Sequence, residues 1–118
     1  MNYSRFEYAD LKLSETEILE NDTLDVKFSV KNVGGMDGKE VVQLYIRDEY
    51  ASSTPPVKVL KRFKKIHLKV GERKTVEFKI SKRDLEFYND KGERVLEPGM
   101  FRVIVNSLEN NFELTTNK

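Results

Sequence analysis

The chain has 118 residues, and its 21 Lys+Arg against 20 Asp+Glu leave a formal charge of +1, so it holds one hydrophobic core and not two. With 38% hydrophobic and 35% charged residues it has the make-up of a globular domain, and its apolar runs fall far short of the roughly 20 residues that a membrane helix needs. Zero cysteines exclude disulfides, thiolate nucleophiles and Cys-based metal sites, and a single imidazole, His67, excludes a two-histidine site within the chain.

From the front, Phe6 and Tyr8 share one phase of an alternation while Leu11 and Leu13 share the other, a slip that a β-bulge near Ala9-Asp10 absorbs. Leu24 to Asn32 alternates strictly, with Leu24, Val26, Phe28 and Val30 set against Asp25, Lys27, Ser29 and Lys31, which predicts a half-buried strand. Three glycines between Val33 and Gly38 predict a reversal through positive φ angles. Glu40 to Asp48 is apolar on both phases, with Val42, Leu44 and Ile46 as its core face. A loop from Arg47 to Lys58 follows. Val59 to Leu68 carries Leu60, Phe63, Ile66 and Leu68 among lysines, a spacing that leaves helix or bulged strand open, and short β-structure is expected.

Val70 to Arg73 reads as a turn, and Lys74 to Ile80 alternates again. Ser81, with Asp84 three residues on, is an N-cap signal for one helical turn before Leu85 to Tyr88 returns to extended chain. Turns at Asn89–Gly92 and Leu96–Gly99 precede a strand through Phe101, Val103 and Val105, and Phe112 with Leu114 closes the series. About seven short strands without a long helix predict an all-β fold, an immunoglobulin-like or fibronectin type III-like antiparallel β-sandwich. Residues 1–13 are read as a linker or first-strand region and 14–118 as the sandwich, one domain overall.

Four segments together resemble a known family: YSRFEYADLKLS (Tyr3–Ser14), VKNVGGMDGKEVVQLYIRD (Val30–Asp48), PVKVLKRFKKIHLKVGERKTVEFKI (Pro56–Ile80) and DLEFYNDKGERVLEPGMFRVIV (Asp84–Val105). They are similar to the fibronectin type III-like domain that closes glycoside hydrolase family three enzymes such as β-glucosidases and β-xylosidases. Mild departures are Arg62 where that family usually has Gly, Lys58 or Val59 where an acid is common, and Val95 near a usual aromatic. The resemblance implies that the nucleophile and acid/base lie in other domains. It implies no cofactor, and as partners the catalytic domains of a parent glycosidase.

The candidate residues follow from this frame. Arg47, Asp48, Tyr50, Thr54, Pro55 and Pro56 belong to the long loop, which is expected to dock on a neighbour or, second, to touch sugar. Of Tyr45, Tyr50 and Tyr88, the first and last are expected in the core. Tyr3, Phe6 and Tyr8 are expected on a former interdomain face, an apolar patch through which the isolated domain would form a homodimer. Lys58, Lys61, Arg62, Lys64, Lys65 and Lys69 form a basic strip, set against seven acids between Glu7 and Asp25 that are expected to neutralise it. With a net charge of +1 the strip is read as solvated or edge-protecting lysines, with neither nucleic acid nor membrane as partner. No catalytic residue and no metal ligand is assigned, and His67 is expected to face solvent. The alternative reading is an independent carbohydrate- or polyanion-binding β-sandwich, and compartment stays open between cytoplasmic and secreted.

Overall fold

The computed structural model describes residues 5–49, 58–88 and 91–115. Its elements run β1 (Phe6–Leu13), β2 (Glu17–Leu19), β3 (Leu24–Asn32), β4 (Gly38–Asp48), β5 (Lys58–Leu68), β6 (Arg73–Ile80), α1 (Lys82–Leu85), β7 (Phe87–Tyr88), β8 (Arg94–Val95), β9 (Gly99–Val105) and β10 (Leu108–Thr115). Among the described residues, seven of these strands have seven residues or more. They form a three-stranded sheet ordered β1-β3-β6 and a five-stranded sheet ordered β2-β10-β9-β4-β5, with β7 and β8 as a separate small pair.

The core lies between the two large sheets, because each alternating strand sends one phase inward. Leu24, Val26, Phe28, Val30, Val76, Phe78 and Ile80 come from one sheet, and Val42, Leu44, Ile46, Phe101, Val103, Val105, Phe112 and Leu114 from the other. Burying each such side chain contributes about 1.5–3 kcal/mol. Phe101 and Phe112 stack at 5.6 Å between centroids, while Phe28 lies 6.0 Å from both Tyr8 and Phe78.

Residues 6–13 take the role of first strand, since β1 pairs with β3 from Phe6↔Asn32 to Leu13↔Val26. The register slips between Ala9 and Lys12, and Asp10 sits there at φ 58°, so the bulge falls where the change of phase required it. The chain then crosses to the other sheet, where β2 runs beside β10 in parallel. That pair corrects the wholly antiparallel expectation. β2 covers the edge of β10 and delivers Ile18 to the core.

The glycine-rich turn after β3 also differs from expectation. Positive φ among glycines falls at Gly71, Gly92 and Gly99, and not at Gly34, Gly35 or Gly38. The reversal is held by the buried Asn32 instead: its Oδ1 accepts from the Gly34 N–H at 2.9 Å, and its Nδ2 donates to the Met36 carbonyl at 2.9 Å and the Leu68 carbonyl at 3.1 Å. One amide side chain therefore joins β3, the turn and the end of β5. Gly71, at φ 80°, is the third residue of the turn closed by Glu72 N–H to the Lys69 carbonyl, a position where a type II turn demands glycine.

Candidate functional site

Where β5 and β4 pair, the register aligns the outward side chains in rows across the five-stranded sheet. Lys58 lies opposite Arg47, which lies opposite Arg102 on β9, itself opposite Asn111 on β10. The next row is Leu60, Tyr45, Ile104 and Glu109, and beyond it Phe63 faces Gln43 and Lys65 faces Val41. The centre of this face is apolar. Phe63 is 68% exposed, Val41 45% and Leu60 42%, while Ile104, on the outward phase of β9, is only 6% exposed.

The segment 58–68 is a single strand rather than a helix, with an irregularity that passes over Lys61 between Leu60↔Tyr45 and Arg62↔Leu44. That extra residue brings Leu60 onto the face that regular alternation gives Phe63. Phe63 and Leu60 face outward, while Arg62, Ile66 and Leu68 follow the inward phase. Arg62 reaches α1, where its two terminal nitrogens donate to the two Asp84 carboxylate oxygens at 2.7 and 2.8 Å. Asp84 also accepts from the Ser81 N–H at 2.9 Å in a capping box, so the one helical turn predicted at Ser81 doubles as the anchor of β5. The expectation that the acidic front neutralises the basic strip is corrected here. Arg62 is matched by Asp84, and alternation divides the rest: Lys58 and Lys65 share the face of Phe63, while Lys64 follows the other phase.

At one end of the face the loop's first residues are strand residues, because the ladder continues to Arg47↔Lys58. The connection is thereby shorter than the expected span from Arg47 to Lys58. Glu49 Oε1 accepts from Arg47 Nη2 at 3.1 Å and from Arg102 Nε at 2.7 Å, and Arg102 Nη1 donates to Glu109 Oε1 at 2.9 Å. Arg47 is therefore committed to a fixed cluster at the root of the loop, and Asp48 pairs in the ladder with Phe101. Tyr50, Thr54, Pro55 and Pro56 lie outside the described residues.

The other end opens. β9 stops at Val105, opposite Leu44, and beside the edge of β4 thus left free a groove of about 330 Å³ forms, lined by Glu40 and Tyr45 of β4, Ile104 and Asn106, and Tyr8 of β1. The Tyr8 hydroxyl donates to Glu40 Oε2 at 2.7 Å. Burial, and then the adjoining Glu40 carboxylate, push the Tyr8 hydroxyl well above the ordinary tyrosine range. Over Tyr45, the Lys58 ammonium sits 4.9 Å from the ring centroid, a cation–π contact.

Several placements revise the sequence reading. Phe6 and Tyr8 are half-buried against the domain's own core, so the exposed apolar surface is built instead from Val41, Leu60 and Phe63. Tyr3 lies outside the described residues. Tyr88 is 65% exposed rather than buried, and Tyr45 is partly exposed. The outward Phe63 is what sequence reasoning missed, although its odd spacing from Ile66 and Leu68 carried the signal. No described helix is long and apolar enough to cross a membrane.

The family model for the fibronectin type III-like domain matches residues 40–108, which include most of β4, the Phe63 strand and β9. A putative β-xylosidase of Formosa agariphila is 40% identical over 116 residues, covering 98% of this chain and 15% of that protein. Thermostable β-glucosidase B of Acetivibrio thermocellus is 40% identical over 89% of this chain and 14% of its own length. The crystal structure of a β-glucosidase from Listeria innocua in complex with glucose superposes with a TM-score of 0.83 at 39% identity, over 98% of this chain and 16% of that one. The chain thus spans about a seventh to a sixth of the length of these relatives. The family model matches more than half of the residues, and the chain belongs to the fibronectin type III-like domain family.

Proposed function

We propose that the chain serves as the non-catalytic accessory domain of a family three glycoside hydrolase, of the β-glucosidase or β-xylosidase type, stabilising and orienting the catalytic domains. The observation that carries this reading is the alignment: nearly the whole chain matches, but only about 15% of the relative does. The site chemistry supports it. Glycoside hydrolysis needs two carboxyls about 5–9.5 Å apart around a sugar, whereas three of the partly buried acids among the described residues are engaged elsewhere. Glu40 accepts from Tyr8, Glu49 is clamped by Arg47 and Arg102, and Asp84 is held by Arg62. The loop 47–58 is proposed as a docking contact, its root fixed by the Glu49 cluster.

Against an independent sugar- or polyanion-binding module stands Lys58, whose ammonium covers the Tyr45 face on which a pyranose would stack. The test has two arms. The isolated chain is expected to release no nitrophenol from aryl β-glucosides or β-xylosides, and deleting it from the full-length polypeptide is expected to lower that protein's thermal midpoint. Turnover by the isolated chain, or a deletion without effect, overturns the proposal. Saturable binding of xylan, gluco-oligosaccharides or heparin to the isolated chain would favour the module instead.

A further inference from the structure

We infer that the outward face of the five-stranded sheet, centred on Phe63, is the surface on which the remainder of the parent polypeptide seats, and that this seat is apolar at its centre and carboxylate-rich at its edge. The inference rests on the accessory-domain reading and adds the face and the chemistry of its partner. Phe63, Leu60 and Val41 occupy adjoining rows of β5 and β4, so their exposure is one contiguous patch rather than a scatter of single apolar residues. Ile104 and Tyr45 extend it across β4 and β9.

The rim supplies the charge argument. Lys39 and Val41 alternate on β4, and Lys58 and Lys65 bracket Leu60 and Phe63 on β5. None of Lys39, Lys58 and Lys65 forms an ion pair among the described residues. Ion pairs on this face lie at its loop end, where Glu49 and Glu109 hold Arg47 and Arg102, away from the apolar centre. On the other outward face Lys27–Glu77 and Lys79–Asp25 lie in successive rows, and of the β3 and β6 cations there only Lys31 and Arg73 at its end lack a pair among the described residues. Cations without a carboxylate partner around an apolar centre fit a surface that brings its own carboxylates.

Two occupants compete for such a patch, a second copy and the rest of a longer chain. An isologous contact between copies would set this lysine rim against itself, which like-charge repulsion opposes. A covalently joined partner is held at high effective concentration, so a modest patch suffices to dock it. The 98% coverage of this chain against 15% of a relative sets the occupant as that larger remainder.

The absence of cysteine from the chain makes the test specific. Phe63→Cys and, as a control on the opposite face, Thr75→Cys are introduced into both the isolated chain and the full-length polypeptide, and alkylation at each position is followed by peptide mass spectrometry. Position 63 is expected to react freely in the isolated chain and at least about tenfold more slowly in the full-length protein, where reaction awaits opening of the interface. Position 75 is expected to react equally in both. Equal reactivity at 63 in the two contexts, or protection at 63 already in the isolated chain, overturns the inference, the latter result pointing to a second copy or to the chain's own loop.

A second readout guards against a perturbing cysteine. Lys39→Glu with Lys65→Glu is expected to lower the thermal midpoint of the full-length protein and leave that of the isolated chain nearly unchanged, and the same fall in both contexts counts against the inference. The two proposals fail separately. If deleting the domain has no effect, the accessory reading falls. If deletion matters but position 63 stays open in the full-length protein, only the choice of face falls.

Discussion

The two outward faces of the sandwich are built from the same alternating pattern and end in opposite chemistry. On the three-stranded sheet the outward phase reads Asp25, Lys27, Ser29 and Lys31 on β3 against Lys79, Glu77, Thr75 and Arg73 on β6, with salt bridges between strands at Lys27–Glu77 and Lys79–Asp25. On the five-stranded sheet the middle rows read Val41, Gln43 and Tyr45 against Lys65, Phe63 and Leu60, with the charged row of Lys58, Arg47 and Arg102 at the loop end. Each face also hides one residue. Beneath the β1 bulge lies Ser29, whose hydroxyl donates to the Ala9 carbonyl at 3.2 Å, and beside Tyr45 lies Ile104. A face meant for water can bury a hydroxyl at its bulge, whereas a face meant for another surface keeps an apolar centre.

The largest expected effect separates those two hidden residues. Ile104→Ala removes packing from a site that is covered although it points outward, and is expected to cost about 2–3 kcal/mol in urea denaturation of the isolated chain. Ser29→Ala forfeits a hydrogen bond at the bulge and is expected to cost about 1 kcal/mol. Similar small costs for both would mean that Ile104 lies on an ordinary solvated face, and the contrast would break.

Next in size is the anchor that fixes the phase of β5, and with it the outward setting of Phe63. Arg62→Ala leaves the Asp84 carboxylate, 9% exposed, with the Ser81 amide but without its ion-pair partner. Because the Arg62 side chain is 38% exposed, solvent screening reduces what the pair contributes, and the expected loss is about 1–2 kcal/mol. Arg62→Lys is expected to recover only part of it, since a lysine cannot reproduce the two-pronged contact. Full recovery by lysine would mean that charge alone, and not the geometry that orients β5, is at work.

Much of this arrangement was legible in the residues. Strict alternation placed β3 and β6, the change of phase between Tyr8 and Leu11 located the bulge, and Ser81 with Asp84 marked the helical turn. What escaped was decided by partners distant in sequence. The odd spacing of Phe63 from Ile66 and Leu68 sets it outward by plain alternation, but nothing local to Lys58–Leu68 says that an extra residue at Lys61 brings Leu60 onto the same face, because that irregularity is defined only against β4. The glycines after Val33 suggested positive φ, but Asn32 closes the turn through a carbonyl 36 positions away. Ile104 could not be recognised as covered from an alternation that assigns it to solvent. The candidate site was therefore legible as a set of residues around β4 and β5, and not as a face.

Tyr8 tests the border between the core and the groove. Its hydroxyl is held protonated by burial and by Glu40, so the folded state keeps a proton that an unfolded tyrosine gives up near pH 10. Above that pH the unfolded chain binds fewer protons than the native one, and stability is expected to fall as pH rises. Below it this contribution is fully present. Tyr8→Phe is expected to cost about 1 kcal/mol at neutral pH through the lost hydrogen bond and to flatten the alkaline decline measured by thermal unfolding. A decline of the same steepness in the variant would assign it to other groups.

The smallest effects sharpen the comparison most, because they ask whether either outward face matters to the isolated fold. Lys27→Ala removes one exposed partner of Glu77, whose nitrogen lies 3.9 Å away, and is expected to change stability by less than about 0.5 kcal/mol, shrinking further with added salt. Phe63→Ala is expected to be just as quiet in the isolated chain, since a ring 68% exposed has little packing to lose. Equality of these two small numbers is the informative result. It would mean that the lysine stays on the surface because water suits it, whereas the phenylalanine stays there without any benefit to the domain's own stability. If Phe63→Ala instead cost as much as Ile104→Ala, the ring would be part of the sandwich's own packing, and the difference between the two faces would no longer need a partner to explain it.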